Sequence, residues 1–135
     1  MNSPKHLSHQ PIVSVNDYDK IDGMYRNHTD ARALSLGWAQ YNDDELSLKV
    51  WRHNGERWSR QSEELPLHRN LDLTILLLDA LFGNHVNQDS FLVKQNTQVT
   101  VDQPHGIEDI RAYYEAHKEV LEPRLREVKH LLEKL

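Results

Sequence analysis

The chain has no cysteine among its 135 residues. This absence excludes disulfide bonds, a thiolate nucleophile and cysteine ligands for a metal ion. Glycine is scarce, with five residues, and neither a GxxxxGKS/T phosphate loop nor a GxGxxG dinucleotide fingerprint occurs. Any bound phosphate would therefore meet side chains or helix N-termini. No apolar segment long enough for a signal or a membrane span is present, so the sequence predicts a soluble cytoplasmic protein that uses no membrane.

Basic residues are in the minority, with 16 Lys and Arg against 21 Asp and Glu. The net negative field repels polyanions, so long DNA or RNA is not an expected partner, whereas a small nucleotide in a local basic pocket is compatible. Nine histidines occur without an HExxH motif. The run 17–23, DYDKIDG, departs from a calcium loop at its fifth position, Ile21. We therefore expect neither a metal ion nor a cofactor.

Hydrophobic spacing predicts an α+β fold, a small antiparallel meander packed on a central helix. Residues 46–53 alternate apolar and polar side chains, as a strand with one buried face does. Asn54-Gly55 then favours a type I′ turn, after which residues 56–62 should return antiparallel. Residues 31–34 are expected to form a brief helical turn before the first strand of this meander.

Two helical regions follow in what we expect to be a single domain, 1–135. The first should end at Gly83 and form the buried centre of the fold, because its apolar residues recur three or four apart: Leu67, Leu71, Ile75, Leu78 and Phe82. Residues 1–104 would then hold the sheet and central helix, and residues 105–135 a helical segment that Pro123 kinks or restarts. Its leucine seam beyond Pro123 has coiled-coil spacing, which predicts an oligomerisation element.

The segment 51–69, WRHNGERWSRQSEELPLHR, concentrates arginine and tryptophan around one turn. Arg57 and Arg60 flank Trp58, so guanidinium groups and an indole can approach one ligand from neighbouring positions. Forked, always-charged donors suit phosphate, and a flat apolar ring suits a base. The alternative is a solvated hairpin whose arginines pair with glutamates: Glu56, Glu63 and Glu64.

Outside this segment the candidate ligand contacts are Phe82, Asn96, Arg111 and Tyr113. No catalytic residue is predicted, but a second interpretation remains open. Glu63 or Glu64 could form an acid–base pair with His68, in a small hydrolase or lyase that acts on nucleotides. The same two glutamates could equally be ordinary caps at a helix N-terminus.

Three runs together resemble a known family: KVWRHNGERWSRQSEELPLHR, the upstream DARALSLGWAQY and the early NDYDKIDGMY. They are similar to small phage and prophage proteins that act as sponges in Thoeris anti-defence, over roughly residues 4–82. Such proteins sequester cyclic ADP-ribose isomers made by bacterial TIR-domain enzymes, and some members also hold cyclic oligonucleotides.

The resemblance implies a small antiparallel sheet packed with helices and assembled as dimers or higher oligomers. It also implies that a cyclic nucleotide is bound unaltered where subunits meet, with Phe82 as an aromatic contact. A third option is a purely structural or protein-inhibiting oligomer built on the C-terminal helix, which would retain no nucleotide.

Overall fold

A computed structural model describes residues 1–60, 62–83, 90–94 and 99–135. The chain divides into two compact units, Met1–Leu71 and Asp72–Leu135. The first unit holds the sheet together with two short 3-10 helices, Tyr18–Lys20 and Gly23–Tyr25, and the second holds most of the helical residues.

Four antiparallel strands form one sheet in chain order: β1 (Gln10–Asn16), β2 (Ala31–Trp38), β3 (Leu46–Arg52) and β4 (Glu64–Pro66). Consecutive strands are neighbours, so the sheet is the predicted meander, and the α+β class is confirmed. The strand predicted at 46–53 is confirmed as β3.

The buried face of β3 is the polar one. Ser47, Lys49 and Trp51 are buried, at 0%, 5% and 1% exposure, whereas Leu48 and Val50 on the opposite face are only half-buried. The predicted alternation is therefore correct, but the side with serine and lysine faces inward. Such burial is stable only where the polar groups find partners.

Two local predictions are wrong. Residues 31–34 belong to β2, because Ala31 and Ala33 are buried and pair with β3 in the sheet; tertiary pairing overrides a weak helix preference. Residues 56–62 do not form a strand within the described part of the chain, and the return is a single bridge between His53 and Trp58.

The turn at Asn54-Gly55 differs from type I′ as well, since only Gly55 has a positive φ, of 99°. The Asn54 side-chain oxygen accepts hydrogen bonds from the backbone N–H groups of Glu56 and Arg57, at 2.9 and 3.0 Å. Asparagine thus builds the turn through its side chain and does not adopt a left-handed backbone.

The helices are α1 (Leu67–Phe82), α2 (Phe91–Lys94), α3 (Gly106–Ala116) and α4 (Lys118–Leu132). α1 has the predicted extent, and the Gly83 amide closes it on Asp79 O at 3.0 Å. The expectation that α1 is a buried centre is wrong for the single chain, because none of its residues is buried. The C-terminal break falls at His117 and not at Pro123, which lies inside α4.

Candidate ligand-binding site

A cavity of about 1320 Å³ opens in the first unit and is called the basic cavity here. β3 contributes Lys49 and Trp51 to its lining, and the loop after β3 contributes the three candidates Arg57, Trp58 and Arg60. The structure therefore brings together, in one cavity, the residues that the sequence placed around one turn.

Trp58 is held against two other rings. Its centroid lies 5.9 Å from Trp51 at 75°, and 4.9 Å from His53 at 81°. Edge-to-face contacts of this kind stabilise ring pairs beyond simple burial. Because Trp51 is buried and Trp58 is only half-buried, Trp58 is the tryptophan that a ligand can reach.

Arg57 and Arg60 are exposed, and among the described residues neither guanidinium has an ion-pair partner. The glutamates are used elsewhere. Arg52 forms a bidentate pair with Glu63, Nε to Oε2 at 3.0 Å and Nη2 to Oε1 at 2.6 Å, and its Nη1 donates to Asp30 Oδ1 at 2.6 Å. The alternative of a paired hairpin thus applies to Arg52 and leaves the other two arginines available.

The contacts of Arg52 with Glu63 and Asp30 form a clamp, which is strong because its hydrogen bonds join oppositely charged groups. The hydrogen bond from Arg52 lowers the pKa of Glu63, and the bonds to Glu63 and Asp30 raise the pKa of Arg52 further above its usual range. Bidentate guanidinium–carboxylate geometry fixes orientation as well as charge. The clamp therefore ties the ends of the loop that carries Arg57, Trp58 and Arg60.

A buried hydrogen-bond network lies beside the cavity and is called the His9 network. His9 Nδ1 lies 2.9 Å from Ser47 Oγ and 3.0 Å from Glu64 Oε1, and its Nε2 lies 2.9 Å from Ser35 Oγ. Ser47 donates to Glu64 at 2.8 Å, and the Trp51 indole donates to Ser35 at 2.8 Å. A neutral His9 with its proton on Nδ1 satisfies all of these contacts.

Charge in the His9 network is balanced around Glu64. Burial lowers the pKa of His9 despite the adjacent carboxylate, and this favours the neutral ring. Burial would raise the pKa of Glu64, but hydrogen bonds from the Gln40 amide, Ser47 and His9 together lower it. Burial lowers the pKa of Lys49, whose Nζ lies 4.0 Å from Glu64 Oε2 and 4.8 Å from the centre of the Trp51 ring.

The remaining candidates belong to the second unit or lie outside the described residues. Phe82 ends α1 and packs edge-to-face on Tyr114, with centroids 5.7 Å apart. Tyr113 is 53% exposed and stacks on His117 at 4.0 Å, and Arg111 is exposed on α3. Asn96 falls in 95–98, outside the described residues.

The predicted acid–base pair with His68 is not formed among the described residues. Glu63 binds Arg52 and Glu64 binds His9, whereas His68 is exposed on α1. In the described part of the chain, no group of three or more potential ligands is placed to hold a metal ion. Within the same ranges, no helix combines the length and apolar character that a membrane crossing needs.

Sequence reasoning missed His9 and Lys49 as parts of this region. The local sequence around His9 gives no signal for its role, because its hydrogen-bond partners lie 26 to 55 positions away. Lys49 carried a usable signal, because it shares a strand face with Trp51 at a spacing of two. A buried Trp51 therefore implies that Lys49 is buried on the same face of the strand.

The fold and cavity together define an α+β protein with a cavity that basic and aromatic side chains line. The chain belongs to the family DUF6530, described as a family of unknown function, whose model matches residues 1–135. No curated protein and no solved structure matches the chain. The resemblance to Thoeris anti-defence sponges remains a prediction from the sequence.

Proposed function

We propose that the protein binds a cyclic nucleotide in the basic cavity and holds it without cleaving it. In the form that the sequence resemblance favours, the ligand is a cyclic ADP-ribose isomer, or also a cyclic oligonucleotide. The protein would then be a cytoplasmic anti-defence sponge of phage type, working as a homo-oligomer.

One observation carries the proposal: two unpaired arginines and an accessible tryptophan line the same cavity. Arg57 and Arg60 have no carboxylate partner among the described residues, so their donors are free for phosphate. Trp58 offers a ring for stacking on a base. The volume of about 1320 Å³ exceeds the roughly 300–1,000 Å³ of common small-molecule sites and accommodates a dinucleotide-sized ligand.

Retention without reaction is supported by how the nearby acid–base groups are used. His9 lines the cavity, and both His9 and its partner Glu64 are engaged in hydrogen bonds with other described residues. A general acid or base must reach a substrate proton. The network has the features of a structural element of the fold, and it leaves the loop arginines and Trp58 as the ligand contacts.

Arg60→Ala tests the site. Loss of a charge-assisted phosphate contact should cost about 1.5–3 kcal/mol, or roughly 10- to 150-fold in Kd. Calorimetry with cyclic ADP-ribose isomers would measure it, with Arg69→Ala, an exposed arginine on α1, as the matched control. Equal affinities for wild type, Arg57→Ala, Arg60→Ala and Trp58→Ala would rule out this cavity as the site.

Hydrolysis is a second candidate, favoured by one arrangement. The bonds run from Ser35 to His9 and from His9 to Glu64, in the order of a serine–histidine–acid triad. Ser35, however, is 4% exposed and accepts the Trp51 indole N–H. A mass spectrum of the compound released by heat denaturation separates the two functions, since a sponge returns the input mass and an enzyme returns a product.

Assembly into a homo-oligomer is part of the proposal. Three apolar residues near the C-terminal end of α4 are exposed in the single chain: Val128 at 39%, Leu131 at 52% and Leu132 at 58%. A second copy that covers this stripe would bury apolar area that is otherwise hydrated. Light scattering should give a dimer or larger species, and a stable monomer would contradict this part of the proposal.

A further inference from the structure

Lys49 is a buried cation whose ammonium makes no hydrogen bond to any other residue that the structure describes. Its side chain is 4% exposed, and it lines the basic cavity. Among the described residues its one ion-pair partner is Glu64, at 4.0 Å, a distance too long for a hydrogen bond. An ammonium has three N–H donors, and the centre of the Trp51 ring lies 4.8 Å from this Nζ.

Glu64 does not complete this cation by itself. Its Oε1 already receives the Gln40 amide at 2.9 Å, Ser47 Oγ at 2.8 Å and His9 Nδ1 at 3.0 Å. The carboxylate is therefore engaged on the side away from Lys49. Buried charges in folded proteins are normally both paired and hydrogen-bonded. A buried ammonium that lines a cavity and keeps free N–H donors is therefore suited to contact an anionic ligand.

We infer that Lys49 is a second anion-binding point in the basic cavity, at its buried end, which takes a phosphate or carboxylate group of the ligand. This inference rests on the proposed function of the cavity. Arg57 and Arg60 are exposed, whereas Lys49 is buried, so the two sets of donors contact different parts of one ligand. The ligand class is thereby narrowed to molecules with at least two anionic groups, such as a pyrophosphate-bridged nucleotide.

Because Lys49 is buried, its contact should favour ligands that place an anionic group at this residue. A hydrogen bond between an ammonium and an anion is stronger in a buried site than at an exposed surface, because water competes less. The bound anion would also favour the charged form of the amine, so binding should reverse part of the burial effect that lowers the pKa of Lys49. A ligand with its single charge at the mouth of the cavity gains neither effect.

Calorimetry with cyclic ADP-ribose can test the contact on three proteins: wild type, Lys49→Met and Lys20→Met. Lys20 is exposed and lies outside the cavity lining, so its removal controls for the loss of one positive charge. We expect Lys49→Met to weaken binding by about 10-fold or more, and Lys20→Met to leave it unchanged. Equal affinity of wild type and Lys49→Met would overturn the inference while leaving the proposed function intact.

A second experiment uses only the wild-type protein. It tests the inference even if the wild type does not bind the nucleotide or if Lys49→Met does not fold. Inorganic pyrophosphate is titrated while the NMR signals of the Lys49 Cε and Nζ are followed. A saturable shift at Lys49, absent at Lys20, supports the anion point even if cyclic ADP-ribose fails to bind and the proposed function falls. No shift at Lys49 at saturating pyrophosphate refutes the anion point.

Discussion

Replacing Glu64 by alanine is the sharpest test of how the sheet tolerates its polar buried face. The carboxylate accepts three hydrogen bonds, from Gln40, Ser47 and His9, and is the ion-pair partner of buried Lys49. Glu64→Ala removes all of these at once. It also leaves the buried ammonium of Lys49 without its ion-pair partner.

The expected cost follows from those contacts. Breaking a buried pair by deleting one partner typically costs about 3–5 kcal/mol, and hydrogen bonds to a charged acceptor are each worth about 1.5–3 kcal/mol without being additive. We therefore predict that Glu64→Ala lowers the free energy of unfolding by about 3–5 kcal/mol. Glu56→Ala, on the exposed turn, should change it by less than about 0.5 kcal/mol.

Urea denaturation followed by circular dichroism measures these values, and a double-mutant cycle isolates the charge. Lys49→Met in the Glu64→Ala background should recover part of the loss, because it removes the unpaired buried cation. A Glu64→Ala variant within 1 kcal/mol of wild type, by this assay, would show that the His9 network does not stabilise the sheet in the way its distances imply.

Two further predictions concern the same sheet. Because burial lowers the pKa of His9, the unfolded chain binds more protons once the pH falls below about 6.5. Stability should therefore be lost as pH decreases from there, and His9→Gln should flatten this slope in urea midpoints measured between about pH 7.5 and 5.5; an unchanged slope would contradict the assignment. At Gly37 an added Cβ would overlap the carbonyl oxygen of Gln10 in β1, so Gly37→Ala should cost at least about 2 kcal/mol in the same assay, and a neutral effect would contradict the close strand approach.

The loop contacts of the site were predictable because they depend on local spacing. Arg57, Trp58 and Arg60 lie within four positions, and one turn is enough to place them together. The apolar spacing of β3 did not predict which of its faces is buried, because Lys49 and Ser47 face partners far along the chain. Glu64 lies 17 positions from Ser47, and His9 lies 38 positions from it. Only the folded register of the sheet brings these groups together.

The residue at which α3 ends and α4 begins was also not predictable from the sequence. Proline at position 123 is the obvious signal, yet a proline removes only one backbone donor, and α4 continues through it. At His117 the backbone amide reaches Tyr113 O at 3.0 Å, and the ring Nδ1 lies 2.9 Å from the same carbonyl oxygen. The His117 side chain thus shares the Tyr113 carbonyl with the backbone amide at the residue where α3 ends, and no pattern of apolar spacing reports such a contact.

Photo-crosslinking tests directly whether the basic cavity binds an anionic, ring-bearing ligand, because the label marks the residues that contact the ligand. Protein labelled with 8-azido-ADP-ribose is digested, and the modified peptides are identified by mass spectrometry, with unlabelled cyclic ADP-ribose as competitor. We predict an adduct within residues 49–60 whose amount falls when the unlabelled competitor is added. Adducts confined to residues 72–135, or labelling that the competitor does not reduce, would contradict it.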